Sequence, residues 1–333
     1  MDTSYVMSSY LADCAGPAQD VAYDVSRRRM ALCTPSGSGS IVQVYECSCG
    51  PDDWSHVATW ATDRQVAHLA WAHNEYGRVL AGGTASGSVL IWGQMLELQR
   101  GGVSGVAGGS GVDEEVGIGM ANYQQLQELI CGTAPCRALC FAPRQSGLLL
   151  AALLDDGHVV LYEAEQVLAP RSWILHSKIK VGPRGQCSGL CWRPFSQGVP
   201  PMVCAGSGPY ALVWQYVLGL NSWKIVARAE TSTGNNVATV HWAAPLGRPA
   251  ELLAVGSGCD LIICSLSGDT AALQVEQLAV LEHNDAVWKV EWDLWGNRVA
   301  AATDGQEVHV YTPNLIGQWV KSAGVQGGQL EQE

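Results

Sequence analysis

Val66-Ala-His-Leu69-Ala-Trp71, followed some twenty residues later by Ser88-Val89-Leu-Ile91-Trp92, is the stretch that decides the fold of this 333-residue chain. In the first of these segments alternate positions are apolar and the last residue is aromatic, the period of two expected of a strand with one buried face. The pair recurs along the chain, again clearly at Val287-Trp-Lys-Val290-Glu-Trp292 and Val308-His-Val310-Tyr311. The first aromatics fall at Tyr23, Trp71, Phe141, Trp192, Trp242 and Trp292, so the gaps by subtraction are 48, 70, 51, 50 and 50 residues. Self-similarity at a fixed period of this size is the signature of a repeat architecture.

Each copy reads as a set of short strands. After the aromatic comes a turn rich in Pro, Gly and Asn, as at Ala142-Pro143-Arg144 and Trp295-Gly296-Asn297. A strand of small apolar residues follows, as in Val79-Leu-Ala81-Gly82, Leu149-Leu-Ala151-Ala152 and Leu253-Ala-Val255-Gly256. Tight turns such as Asp155-Asp156-Gly157 then supply the positive φ that a hairpin needs. A third strand closes at Tyr45, Trp92, Tyr162, Trp214, Cys264 or Tyr311, and a fourth can be placed at Trp54 to Trp60 and Trp223 to Arg228. Four short antiparallel strands repeated six times define an all-β, six-bladed β-propeller. Its expected extent is residues 18–320, between an N-terminal segment (1–17) and a disordered tail (321–333).

The 70-residue gap marks an insertion, Gly101-Gly-Val-Ser-Gly-Val-Ala-Gly-Gly-Ser-Gly111 with Asp113-Glu114-Glu115. Gly and Ser at this density cannot bury enough surface to offset ordering, so a flexible inter-blade loop is expected over about 93–120. The run lacks the G-x-x-x-x-G-K-[ST] pattern of a phosphate loop. Ala121 to Ile130 is compatible with a strand or a short helix.

Composition narrows the function. Apolar residues make up 47% of the chain and charged ones 15%, with 19 basic against 31 acidic residues and a formal net charge of −12. That balance argues against nucleic acid or anionic membrane as a partner. No apolar run approaches the roughly eighteen residues of a membrane span, and Met1 to Tyr10 lacks the order of a signal peptide. Membrane insertion and direct nucleic-acid binding are therefore not expected, and the chain reads as a cytosolic product. Most of the twelve cysteines read as small apolar groups. Cys136 and Cys140 precede Phe141 at the offsets at which Cys187 and Cys191 precede Trp192, and other copies put Val66 and Ala70 there.

No catalytic or metal constellation emerges, and no cofactor is expected. The eight histidines form no H-E-x-x-H, and there is no G-x-S-x-G elbow. Asp155-Asp156 and Asp52-Asp53 are paired carboxylates in turn contexts, where Asp is a turn residue. Arg27-Arg28-Arg29 reads as a solvated turn. His283, in Glu282-His-Asn-Asp285, reads as a histidine that hydrogen-bonds within its own blade. An enzyme is disfavoured.

Asp20-Val-Ala-Tyr-Asp24 with Arg28-Arg29-Met30-Ala31-Leu-Cys33, Leu69-Ala-Trp-Ala-His73-Asn-Glu-Tyr76-Gly77, Phe141-Ala-Pro143 with Leu161-Tyr162-Glu163-Ala164, and His283-Asn284 with Val287-Trp288-Lys-Val290 and Trp292 together resemble the WD-repeat scaffold family of Seh-one and Sec-thirteen. The later Trp173 aligns with the Seh-one branch. The Asp of the eponymous dipeptide is missing, and the Ser-x-Asp-Gly turns are reduced to Asp156-Gly157 and Asp304-Gly305. The resemblance implies an open six-bladed WD-repeat propeller, completed by a strand-bearing segment of an α-solenoid nucleoporin of the Nup-eighty-five type. It also implies a scaffold role in the outer-ring Y complex of the nuclear pore at the nuclear envelope, supporting transport of protein and mRNA. The protein would then be part of a hetero-oligomer. A second role in an amino-acid-sensing TOR-pathway complex at the lysosome or vacuole is implied as well. A vesicle-coat or general WD-repeat adaptor is the alternative. An open ring is expected to leave sheet edges for another chain to pair with. The seam is expected between the first and last blades, with Val42, Val44, Val308 and Val310 at or near it.

Overall fold

The computed structural model describes residues 17–48, 53–94, 122–167, 169–326 and 329–331. They form six antiparallel sheets, each built from consecutive strands running from the innermost outward. The first blade comprises Asp20–Tyr23, Arg29–Ser36, Gly39–Cys47 and Trp54–Thr62, and the second Val66–Trp71, Val79–Thr84, Ser88–Gln94 and Tyr123–Ile130. The third holds Cys136–Phe141, Leu149–Leu154, His158–Ala164 and Trp173–Lys180, and the fourth Cys187–Trp192, Met202–Ser207, Tyr210–Val217 and Ser222–Glu230. Val237–Trp242, Glu251–Ser257, Asp260–Asp269 and Ala272–Glu282 make the fifth. The sixth has Val287–Trp292, Val299–Thr303, Glu307–Pro313 and Trp319–Gln326, with Gln329–Glu331 added at its outer edge. The expected all-β propeller of six blades is the fold observed. Among the described residues no helix is long and apolar enough to cross a membrane.

The second strands are small because aromatics from the third strand and side chains from the next blade press against them. A Cβ on Gly82 would sit 2.5 Å from the Trp92 ring, and one on Gly83 would sit 2.6 Å from Cys136 Sγ of the following blade. The outer strands share a different device. Opposite the third-strand aromatic, or Cys264 in the fifth blade, each carries one extra unpaired residue: Val57, Leu126, His176, Val226, Leu278 and Ser322. A bulge of this kind twists an edge strand and blunts it against pairing with another chain.

Three expectations are corrected. The segment around 95–121, outside the described residues, leaves from Gln94 and returns at Tyr123, so the insertion joins the third and outer strands of one blade rather than two blades. Gly93 and Gln94 already belong to a strand, and Tyr123–Ile130 is a strand, not a helix. The boundary at 321 falls inside the outer strand Trp319–Gln326, which pairs along Glu307–Pro313 while Trp319 sets its ring 5.5 Å from that of Trp292. Glycine and glutamine there reflect the light apolar demand of a strand on the blade's periphery, not disorder. Residues 1–16, with Asp52 and Cys49, lie outside the described residues.

Candidate functional site

Neighbouring blades meet through their inner strands by a recurring set of bonds. The Trp71 indole N–H donates to the Ala22 carbonyl at 3.1 Å, Trp192 to Cys140 at 3.3 Å and Trp292 to His241 at 3.0 Å. Side chains supply further acceptors: Asp20 Oδ2 takes the Leu69 N–H at 2.7 Å, and His241 Nδ1 takes the Trp292 N–H at 2.9 Å. Burial lowers the His241 pKa to about 4, which leaves its ring neutral and its Nδ1 free to accept. Between the fourth and fifth blades the pattern changes. Trp242 donates to Glu251 Oε2 at 2.9 Å, and Glu251 is gripped by Arg193 of the preceding blade through Nε at 2.7 and 2.9 Å and through a terminal nitrogen.

Apolar packing follows the same order up to one point. Five buried clusters each join two consecutive blades, from Ala31, Cys33, Val42 and Val44 against Leu80, Leu90 and Trp92 round to Leu261 and Ile263 against Val290, Trp292 and Tyr311. A sixth contains only first-blade residues, Met30, Leu32 and Tyr45 with Trp54. The interface between the sixth and first blades thus lacks a shared buried core among the described residues.

The ladder registers make the comparison quantitative. Tyr23 pairs with Met30 as Trp71 pairs with Leu80 and Trp292 with Val299, so these aromatics are equivalent. Trp71 is 7% exposed and Leu69 6%, whereas Tyr23 is 44% and Val21 43% exposed. On the sixth blade, Val308 and Val310 occupy the places of Val89 and Ile91, which are fully buried, yet both are only half-buried. Glu291, in the same ladder row as Val310 through Ala300, is exposed.

Val308 and Val310 therefore lie on the seam-facing side of the last blade. Val42 and Val44 do not, and the expectation for them is corrected. They hold the same phase in the first blade as Val308 and Val310 in the sixth, which points them at the following blade, where both are fully buried against the second. The first blade meets the seam with the opposite parity: Val21, Tyr23, Met30, Leu32 and Tyr45. Period-two alternation reveals that a strand has two faces without saying which neighbour each meets. A second correction follows, because the seam exposes sheet faces rather than edges; the unpaired edges of these blades point into the channel or outward, as in every blade.

Groups that could carry chemistry elsewhere are engaged in structure. Asp155 accepts from Arg137 at 2.8 Å. Burial raises the Asp156 carboxyl, but hydrogen bonds from His158 outweigh it and hold the group below the usual range. Burial pushes the Cys33 and Cys136 thiols up to about 12, far from the thiolate that nucleophilic chemistry needs. His283 bridges blades instead of serving one, with Nδ1 against the Cys259 carbonyl at 3.2 Å in the fifth and Nε2 against the Tyr311 hydroxyl at 3.0 Å in the sixth. An open depression of about 560 Å3 beside it is lined by Thr233, Asn235, Asp260 and Glu282, and Thr233 already donates to Asp260. Among the described residues no three His, Cys, Asp or Glu gather into a metal-binding group.

No protein-family model matches the sequence. The chain is similar to nucleoporin SEH1 of Xenopus tropicalis, with 29% identity covering 97% of this chain and 89% of that protein. It is similar to nucleoporin SEH1 of Homo sapiens at 28% identity with the same coverage. Among solved structures, it resembles that of Sqt1 from Saccharomyces cerevisiae, with a TM-score of 0.63, 16% identity, and coverage of 93% of this chain and 74% of the other, a likeness of fold alone.

Proposed function

The chain being a homologue of the nucleoporin SEH1 proteins, we propose that it is a structural subunit of the nuclear pore scaffold, acting by binding and without catalysis of its own. The similarity over 97% of the chain carries this reading. The open seam supports a mode of action: an α-solenoid nucleoporin of the Nup-eighty-five type lends a small β-sheet that packs between the sixth and first blades. Supporting this are the exposed Val21 and Tyr23 on one side and the half-buried Val308 and Val310 on the other. A partner that fills the gap gives these side chains the burial their equivalents have at the five closed interfaces. Within the pore, the protein contributes a rigid block to the outer ring and so supports transport of protein and mRNA. Nothing in the blades favours the amino-acid-sensing complex, which stays outside the proposal.

Affinity purification of the tagged chain, with identification of the co-purifying proteins and amide exchange on the complex, tests the reading. Expected are a solenoid nucleoporin and slowed exchange at Val21–Tyr23 and Val308–Val310. Recovery of coat or unrelated adaptor subunits in place of nucleoporins would refute the assignment. Unchanged exchange at both strands in a nucleoporin complex would refute the seam as the contact.

A further inference from the structure

The inner strand of the sixth blade ends in an acceptor unlike those of the other blades. Through the ladder registers, Glu291 occupies the place held elsewhere by Ala22, Ala70, Cys140, Cys191 and His241, each of which faces the following blade. Those five are uncharged. Glu291 is exposed, and across the seam its carboxylate helps raise the Tyr23 phenol, after the larger effects of burial and of the opposing Arg27 guanidinium, which lies 5.6 Å from the centre of that ring. Where the equivalent position faces a tryptophan, one bond recurs at three of four interfaces, Trp242 sending its indole to Glu251 instead, and a second is made once. The backbone carbonyl takes an indole N–H, as at Ala22, Cys140 and His241, and the side chain, where it can accept, takes the backbone N–H of the same tryptophan, as His241 does from Trp292. Tyr23 has no indole to offer to the first of these.

We propose that Glu291 selects the partner's inserted sheet: its carbonyl accepts the indole N–H, and its carboxylate the backbone N–H, of a tryptophan ending the sheet's innermost strand. The occupant is thus a sheet whose inner strand repeats the Val-x-Trp ending of Val290-Glu-Trp292, set against the last blade as that blade is set against the fifth. The chemistry explains why a carboxylate suits this one position. Inside a closed interface an unpaired carboxylate is costly, while one that receives a backbone N–H forms a charge-assisted bond of the stronger kind. This inference rests on the reading of the seam as a partner site.

The test uses the full chain and the α-solenoid nucleoporin of the Nup-eighty-five type from the same organism, titrated calorimetrically. Glu291→Leu is expected to weaken binding about tenfold or more, and Glu291→Gln, whose amide oxygen still accepts, by much less. Glu276→Gln, on the outer strand of the fifth blade, serves as a control and is expected to bind as the parent does. Because Glu291 is exposed in the free chain, thermal unfolding of Glu291→Leu should match the parent and separates lost contact from lost fold. In the partner, Trp→Phe at the end of the inserted inner strand should cost a similar factor and add little to Glu291→Leu. Equal affinities for the parent and Glu291→Leu, or an inserted strand with no tryptophan at that place, would overturn the inference while leaving the seam reading intact. Absence of binding by the parent chain would instead remove the seam reading on which it rests.

Discussion

Replacing Arg193 by methionine tests whether the fourth and fifth blades are locked by charge or only by packing. Arg193 is 7% exposed, and both Glu251 oxygens accept from it, one of them also taking the Trp242 indole. Methionine keeps the stem but leaves the Glu251 carboxylate with the indole alone. Glu251 is 22% exposed on its side chain, so water replaces part of what is lost, and the full 3–5 kcal/mol of a broken buried pair falls to about 2–4 kcal/mol. Unfolding about 300 residues carries an entropy of roughly 0.6 kcal/mol per kelvin, so Tm should fall by about 3–6 °C. The decisive assay is scanning calorimetry on three variants: Arg193→Met, Glu251→Leu and both together. Removing both partners leaves no bare charge, so the double variant should unfold above Arg193→Met. A double variant that loses the sum of the single losses would refute the argument, since packing alone predicts additivity.

Two further outcomes follow from single positions. The His241 pKa is lowered to about 4 against an unfolded value near 6.5; the unfolded chain then binds the proton first, so this contribution is complete above pH 6.5 and fades as pH falls towards 4. Its size is roughly 1–3 kcal/mol, and urea unfolding of His241→Gln should show a correspondingly flatter change across that window than the parent, a parallel profile counting against it. Gly82→Ala puts a methyl 2.5 Å from the buried Trp92 ring and should cost about 1–3 kcal/mol by denaturant midpoint, whereas Gly219→Ala, with open space around it, should be nearly neutral.

The blades were legible in the sequence because an aromatic ends each inner strand at the same register. Trp71, Trp92, Trp292 and Tyr311 all take the inter-blade places their spacing implies. The seam was half legible. Val308 and Val310 belong to it by phase, but the same phase in the first blade turns Val42 and Val44 towards the second, because every blade faces its successor with the same parity. A sharper signal was available in the sequence: Tyr23 and Val21 share register with Trp71 and Leu69, so the exposed face of the first blade had to carry that parity. Arg193 and Glu251 gave no signal, being 58 residues apart and joined only once the fourth and fifth blades stack. The outer strand Trp319–Gln326 was hidden by its composition, since a strand on the periphery of a blade needs little apolar surface.

The topology leaves the contact between the sixth and first blades to side chains. Among the described residues every blade is made from consecutive strands, so no strand is shared between the first and sixth and no ladder of hydrogen bonds ties them. Closure would have to come from side chains, and these remain partly exposed: Val21 and Tyr23 stand 43% and 44% exposed while Val308 and Val310 are half-covered. Completing their burial contributes roughly 1 kcal/mol apiece, about 4 kcal/mol in all. Association alone costs an estimated 4–15 kcal/mol, and ordering a free segment adds about 1–2 kcal/mol for each residue fixed. Burial on this side of the seam alone does not offset the ordering of a disordered peptide. On the proposed reading, the partner's sheet is expected to arrive already folded, with contacts beyond the seam contributing the rest of the affinity.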